Sequence, residues 1–394
     1  MRSNVYLAGG VRTPFGIFGG SLASVPAPRL GSIAISGALA RAGVKPTDVD
    51  EVLMGNVIGA GLGQNVARQA SLGAGIGTDV GCTTINKVCG SSMKTIVVGA
   101  QAIQCGDADL VVAGGLESMS RAPYLLPQAR TGYRMNHGTI IDAMVQDGLW
   151  DVYNDVHMGT CGDQCADKYD ISRKDQDAFA IESYQRAIAA WNDGFFDDIV
   201  VPVAFEDRKK RTVTVERDEE PFRFDEERLK TLRPAFGPEG RVTAGNASGI
   251  SDGATAIIAA SHEKMTALGV KPDGRIMGYA AAALEPEWFT IAPIHALRRL
   301  SDQLSLKLSD VDLFEINEAF SVVALVAIRE LDLPRDKVNI HGGAVSMGHP
   351  IGATGARLVI TLLHALRRTG GKVGMATLCI GGGEAIAMAV ERCK

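Results

Sequence analysis

Short apolar runs alternate with segments of helical spacing over residues 1–119. "NVYLAGGVRTP" (4–14) reads as a strand ending in a turn, "LGSIAISGALARAG" (30–43) as a helix stopped by Gly43, and "VDEVLMGNVIG" (49–59) as a second strand. In "CGSSMKTIVVGAQAIQCGDADLVVAGG" (89–115), Met93, Ile96, Val97, Ala100 and Ile103 share one helical face. A turn follows, then the continuous apolar run "DLVVAGG", the pattern of a central strand covered on both faces. Strands alternating with helices predict an α/β fold.

Residues 120–249 are richer in charge, Pro and aromatics, and their periodicity is weaker. One clear helix is expected in "SRKDQDAFAIESYQRAIAAWNDG" (172–194), with Ser172 as N-cap and Gly194 past its end. The rest reads as a long excursion of the kind that forms lids or ligand-binding loops. Residues 271–394 then repeat the first pattern. "DVDEVLMGNVIGAG" (48–61) lies on "DVDLFEINEAFSVV" (310–323), and the segment from Cys89 to "GGLES" lies on the segment from His349 to "GGGEA". A duplicated α/β unit is inferred. In this reading Cys89 opens the helix of the first copy, His349 opens that of the second, and Cys379 ends the second copy's last strand. The domains expected are 1–119 plus 250–270, an inserted loop domain 120–249, and 271–394.

Composition narrows the class. A chain of 394 residues with 46% hydrophobic and 22% charged residues builds two or three globular domains without disulfide or metal staples. The net charge is −5 and no basic block is present, which argues against nucleic acid. The acidic run 216–230 reads as a solvated face. No apolar run reaches the ~18–20 residues of a membrane span. The start "MRSNVYLAGGVRTPFG" lacks an apolar signal core, so a cytoplasmic location is expected. The seven cysteines are irregularly spaced and are expected as reduced thiols.

Cys89 stands out by its position. A thiol at a helix N-terminus sits in a partial positive charge that favours the thiolate, and Gly90, Ser91 and Ser92 leave room for a substrate. The bland alternative is a small buried hydrophobe. "GGAVSMGHPIGATGAR" (342–357) places His349 in a rigid Gly/Pro turn, where it can take a proton from a thiol. The loop lacks the Lys-Ser/Thr end of a P-loop. "TLCIGGGEA" (377–385) sets Cys379 before glycine amides suited to an oxyanion. In "NEAF" (317–320), Asn317 is a polar amide at a strand end and Glu318 a candidate to orient a histidine; a plain N-cap is the alternative. His157, Cys161 and Cys165 are spaced for one helix face, but no fourth ligand is evident and no metal is expected. Cys82, Cys105 and Cys393 carry no signal.

Together "NKVCGSS", "GGLESMS", "NEAF", "GGAVSMGHPIGATGAR" and "LCIGGGEA" resemble the thiolase family, over essentially the whole chain. The resemblance implies two similar α/β halves in five layers, α/β/α/β/α, with an inserted loop domain. It implies Cys89 as the acyl-accepting nucleophile, His349 as its activator, and Cys379 as the acid/base at the α-carbon. It further implies one oxyanion hole from His349 and Asn317 (through a water) and another from the amides of Cys89 and Gly381. Coenzyme A contacts are implied at Ser248 of "NASG", at His157 and Met158 of "HMG", and at Leu149, Arg223, Phe236, Ala244, Ala319 and Phe320. CoA thioesters are then substrates, no cofactor is implied, and a homotetramer is expected, with 120–138 as the tetramer-forming loop. Two departures from the family pattern concern the site: Ser92 replaces a glycine, and Phe289 and Thr290 replace small or unbranched residues beside the acyl pocket, which the bulk of Trp288 and Phe289 is expected to narrow or reshape. The activity expected is acetyl-CoA C-acetyltransferase, with a thiolase of longer or branched chain as the alternative. The carrier-dependent ketoacyl synthases use two histidines, and Cys379 stands against them. A non-catalytic acyl-CoA-binding protein is the remaining reading.

Overall fold

A computed structural model describes residues 4–207 and 209–393. The strands that matter are β1 (Val5–Arg12), β2 (Glu51–Gly55), β3 (Gly81–Ile85), β4 (Leu110–Ser118), β5 (Ser251–Ser261), β6 (Gly274–Ala283), β7 (Leu313–Ile316), β8 (Val373–Ile380) and β9 (Glu384–Arg392). The helices are α1 (Ala27–Ala42), α2 (Val66–Gly73), α3 (Ser91–Cys105), α4 (Met158–Lys168), α5 (Arg173–Asn192), α6 (Ala292–Leu304), α7 (Ser321–Glu330) and α8 (Thr354–Thr369).

The strands run in the order β7-β8-β9-β6-β1-β5-β4-β2-β3. In one wing β1, β5 and β4 are antiparallel, and β4, β2 and β3 are parallel. In the other, β6, β9 and β8 are antiparallel, and β8 and β7 are parallel. The order is thus repeated about the β1–β6 seam, where Tyr6↔Arg275 and Leu7↔Gly274 pair among the described residues. β2 and β7 hold equivalent places, as do α3–β4 and α8–β8, which is how the two sequence pairings align. β4 and β5 are buried along their whole length, in keeping with strands covered on both faces.

Helices α1 and α2 cover one wing from outside and α6 covers the other, while α3 and α8 pack on each other and on strands of both wings. These are the five layers. Residues 354–366 of α8 are buried without interruption, so any polar side chain there needs a protein partner. The fold starts the two central helices together. Gly355 abuts Met93, and the Ser92 hydroxyl accepts the Ala356 amide at 2.9 Å. Ser92 therefore satisfies one of the orphan amides of α8, a job a glycine has no atom for.

Two placements differ from the sequence reading. His349 does not open a helix: it precedes Thr354, the first residue of α8, by a turn anchored through Ala353 and Thr354 amides on the Pro350 carbonyl. Cys379 does not end the last strand. β8 turns through Gly382 and Gly383, both at positive φ (88° and 89°), into β9, which closes the wing. Of the inserted segment, α5 runs 173–192 behind a Ser172–Asp175 capping box, with Gly194 at φ 67°. No helix among the described residues is long and apolar enough to cross a membrane.

Candidate active site

Cys89 precedes Gly90, the N-cap of α3. The residue before it, Val88, has φ +46°, a conformation a β-branched side chain rarely takes. It is held there by Asn86 Oδ1, which accepts the Val88 amide at 2.9 Å, and by the Ser91 hydroxyl, which donates to the Val88 carbonyl at 2.6 Å. Strain of this kind, over-determined by its surroundings, is what aims a side chain out of a strand–helix turn.

The Cys89 thiol is pushed up to about 12 by burial, against the amides of Gly381 and of Cys89 itself, which face the sulfur and favour the thiolate. The helix-terminus argument from sequence is therefore overturned: desolvation outweighs the partial charge, and the resting group is a thiol. Cys379 is buried and raised well above a normal thiol, first by burial and then by the neighbouring Cys89. The two thiols thus share one site, and both rest neutral. Cys379, Met158 and Phe289 belong to one buried apolar cluster, and a Cβ on Gly381 would lie 2.5 Å from Met158 Cε. Met158 thus closes down on the loop after β8.

His349 is buried beside the 249–251 segment, its amide donating to the Gly249 carbonyl at 3.0 Å. Nδ1 lies 2.7 Å from Thr354 Oγ1, and that hydroxyl donates its single proton to the Pro350 carbonyl at 2.9 Å. The hydroxyl can then only accept from the ring. This assigns the Nδ1–H tautomer and leaves Nε2 a bare base, with no partner among the described residues. Burial, with the Arg357 charge behind it, lowers His349 to about 3.

Asn317, just past β7, is fully buried. Its Oδ1 accepts from Arg357 Nη2 at 3.3 Å, and Nδ2 has no partner among the described residues. Glu318 does not orient a histidine, as the sequence suggested. It accepts from the Ser183 hydroxyl (2.7 Å), Asn339 Nδ2 (2.8 Å) and the Val345 amide (3.2 Å), and so pins the turn leading to His349. Glu117, at the end of "GGLE", does similar work that sequence reasoning missed. It accepts from Asn56 Nδ2 and from the amides of Val57, Ile58 and Gly352, at 2.8–3.2 Å. That ties the loop after β2 to the turn after His349.

The candidate CoA residues fall into two groups. Ala247 bridges to Phe320, and the Ser248 amide donates to the Ala319 carbonyl at 2.9 Å, so "NASG" lies along "NEAF". The His157 ring stacks on Phe236 at 4.5 Å, and Phe236 meets Phe320 edge-on at 6.2 Å. Ser248, His157, Met158, Phe236, Ala319 and Phe320 therefore adjoin. Leu149 packs against the cluster that contains Cys89. Arg223 and Ala244 stand apart from the thiols and line a cleft of about 280 Å³ with Tyr184, Glu220 and Arg228. His157 caps α4 with Nδ1 rather than facing Cys161 and Cys165, and no cluster suited to a metal occurs among the described residues. Phe289 is buried, whereas Trp288 is half-exposed under Lys168, whose Nζ lies 3.8 Å from its ring.

Two copies of an α/β unit, packed about shared central helices with two thiols between them, define a class of acyl-transferring enzymes. The chain belongs to the thiolase family: residues 5–263 match its N-terminal domain and residues 270–392 its C-terminal domain. It is 52% identical to acetyl-CoA acetyltransferase 1 of Arabidopsis thaliana over 98% of this chain and 94% of that one. It is 47% identical to the acetyl-CoA acetyltransferase of Schizosaccharomyces pombe over 100% of both. The crystal structure of Bacillus anthracis acetyl-CoA acetyltransferase superposes with a TM-score of 0.97 at 41% identity, covering 100% of this chain and 99% of that one. Acat5 thiolase from Ascaris suum, solved in complex with coenzyme A, gives a TM-score of 0.93 at 43% identity over 99% and 100%.

Proposed function

We propose that the protein is an acetyl-CoA C-acetyltransferase that joins two acetyl-CoA into acetoacetyl-CoA and CoA, and catalyses the reverse. The observation that carries this is the pair of buried thiols, one facing two amides, beside an imidazole and an amide whose inward nitrogens have no partner among the described residues. Cys89 sulfur attacks the acetyl carbonyl as His349 Nε2 takes its proton. The amides of Cys89 and Gly381 hold the oxyanion, and CoA leaves as a thiolate that takes the Cys379 proton. Cys379, now a thiolate, removes an α-proton from the second acetyl-CoA. The enolate, held by protonated His349 and by Asn317 through a water, attacks the acetyl-cysteine. The tetrahedral adduct collapses, and the Cys89 thiolate recovers its proton from His349. Every group ends as it began, and no cofactor or metal is needed. The test is the mass of the intact protein after brief mixing with acetoacetyl-CoA: a gain of one acetyl group is expected, and no gain with CoA binding intact would leave only a binding protein.

The resting charge state has a kinetic signature. A thiol near 12 and an imidazole near 3 stay neutral across the working range. The single-turnover rate of Cys89 acetylation by acetyl-CoA should therefore be level, within about twofold, from about pH 5.5 to about pH 9. A rise of tenfold per unit near neutrality would mean that the thiolate must form beforehand.

Substrate breadth turns on Phe289. Its burial in the same apolar cluster as Met158 and Cys379 puts its bulk where it can set how large an acyl group fits, which is why a longer or branched chain is kept as the second reading. Exchanging Phe289 for Met should change the ratio of kcat/KM between acetoacetyl-CoA and its 2-methyl or 3-ketohexanoyl analogues by about tenfold, the size of a pocket methylene effect. An unchanged ratio would remove the ring from the acyl pocket. For CoA we place the thioester end along Ser248, His157, Phe236 and Phe320, and the far end at the cleft of Arg223 and Ala244. Residues 120–249 serve as the loop domain inserted within the first half. The assembly we infer is a homotetramer in the cytoplasm. Tyr124, Leu126, Met135 and Ile140 are 50–86% exposed, an apolar set that a monomer would leave in water. Light scattering should give four chains; one chain would refute it.

A further inference from the structure

Glu315 and Asn317 lie two residues apart at the end of β7, and the same residue of α8 reaches both. Arg357 Nη1 donates to Glu315 Oε2 at 3.1 Å, and Nη2 donates to Asn317 Oδ1 at 3.3 Å. The side chains of Arg357 and Glu315 are 1% and 2% exposed. A buried ion pair is a poor way to gain stability, since an apolar pair of similar size often does better. Its presence calls for another account, and the chemistry of a primary amide supplies one. The two ends of Asn317 have the same shape and opposite hydrogen-bonding roles. Turned one way it donates an N–H to the water of the enolate site and leaves both of that water's protons for the enolate; turned the other way its oxygen takes one of those protons for itself. A guanidinium has donors only, so it can face Oδ1 and never Nδ2. The unpartnered Nδ2 is what this predicts.

We propose that Arg357, anchored by Glu315, is a positioning residue: it fixes Asn317 with its amide nitrogen turned to the acyl site, and touches no substrate atom itself. This rests on the proposed function, in which Asn317 serves the enolate. It separates Arg357 from Thr354, three residues earlier on α8, which sets the His349 tautomer. The first turns of one buried helix then orient both donors of one oxyanion site.

The experiment is a cycle of variants. Glu315→Met with Arg357→Met removes both charges together, so none is left buried and unpaired. It is made in the wild type and in an Asn317→Ala background, with melting temperatures to establish folding. Loss of one oxyanion donor costs about 100-fold or more in kcat. Asn317→Ala should lose that much, and an undiminished Asn317→Ala enzyme would refute the reading of the site itself. Removal of the pair should lower kcat for condensation by about 10–100-fold, with KM and the rate of Cys89 acetylation within about threefold of wild type. In the Asn317→Ala background the same removal should cost less than about threefold. An equal cost in both backgrounds, or an unchanged kcat in the folded pair variant, overturns the proposal. Should the pair variant not fold, Glu315→Gln loosens the anchor while keeping the guanidinium. Its loss of kcat, present with Asn317 and absent without it, supports the proposal, and equal losses overturn it.

Discussion

The Cys89→Ala enzyme should retain its fold and lose kcat for both condensation and thiolysis by about 10⁴-fold or more, the scale seen when a covalent nucleophile is removed. Cys89 is buried against Met93 and its neighbours, and loss of one sulfur from that packing is minor beside the loss of the acyl-enzyme. Mixed with acetoacetyl-CoA, the variant should gain no acetyl group while the wild type gains one. Acetylation of the variant, at Cys379 or elsewhere, would place the nucleophile wrongly. The same measurement on Cys379→Ala separates the two thiols. With Cys89 intact, transfer from acetyl-CoA persists in part, since the departing thiolate can be protonated by solvent, whereas condensation fails for want of a base at the α-carbon.

The largest expected effect on stability lies away from the thiols. Arg12, at the end of β1, is fully buried and makes a two-pronged ion pair with Asp218 at 2.6 and 2.7 Å. Its guanidinium sits 4.9 Å from the ring centres of Phe15 and Phe196 and 5.9 Å from Trp191. Asp218 also accepts the Phe15 amide and the Trp191 indole N–H. Asp218→Ala strands a buried cation and should cost about 3–5 kcal/mol. By the same logic, Arg12→Met with Asp218→Leu should cost far less than the single change, although two donors of Asp218 lose their acceptor. Denaturant unfolding of the three proteins checks this. A single variant within about 1 kcal/mol of wild type would mean that water reaches the guanidinium.

Much of this was readable in the chain, for identifiable reasons. β1, β4, β7, α3 and α8 announce themselves because each is a continuous apolar run or a helical stripe between glycines. Cys89, His349, Cys379 and Asn317 were singled out where apolar runs give way to glycines or polar residues, although Asn317 by itself read first as a plain N-cap and His349 precedes its helix by a turn. β3 does not: "GCTTI" is an edge strand with exposed and half-buried residues, so it carries no core signature. The charge state of Cys89 was misjudged because a helix terminus is visible in sequence and desolvation is not. Arg357, Glu315, Thr354 and Glu117 were missed because their partners lie 5 to 235 positions away, and a lone Arg in an apolar helix looks like a surface residue. A signal was present: the pattern buries α8 on every side, and an arginine inside such a helix must have a carboxylate somewhere.

The doubling of the α/β unit has a consequence for how the chain comes to life. Cys89 belongs to one copy, and His349, Asn317, Arg357 and Cys379 to the other, and the backbone seam that joins them is two residue pairs long among the described residues. On the proposed mechanism, each copy on its own therefore carries half a reaction. A nascent chain that has finished its first unit displays a thiol with no base, beside an unfinished second unit that has a base and nothing to attack. On the proposed mechanism, an acyl-CoA meets a thiol, its base and the second thiol together only once both copies are packed on each other.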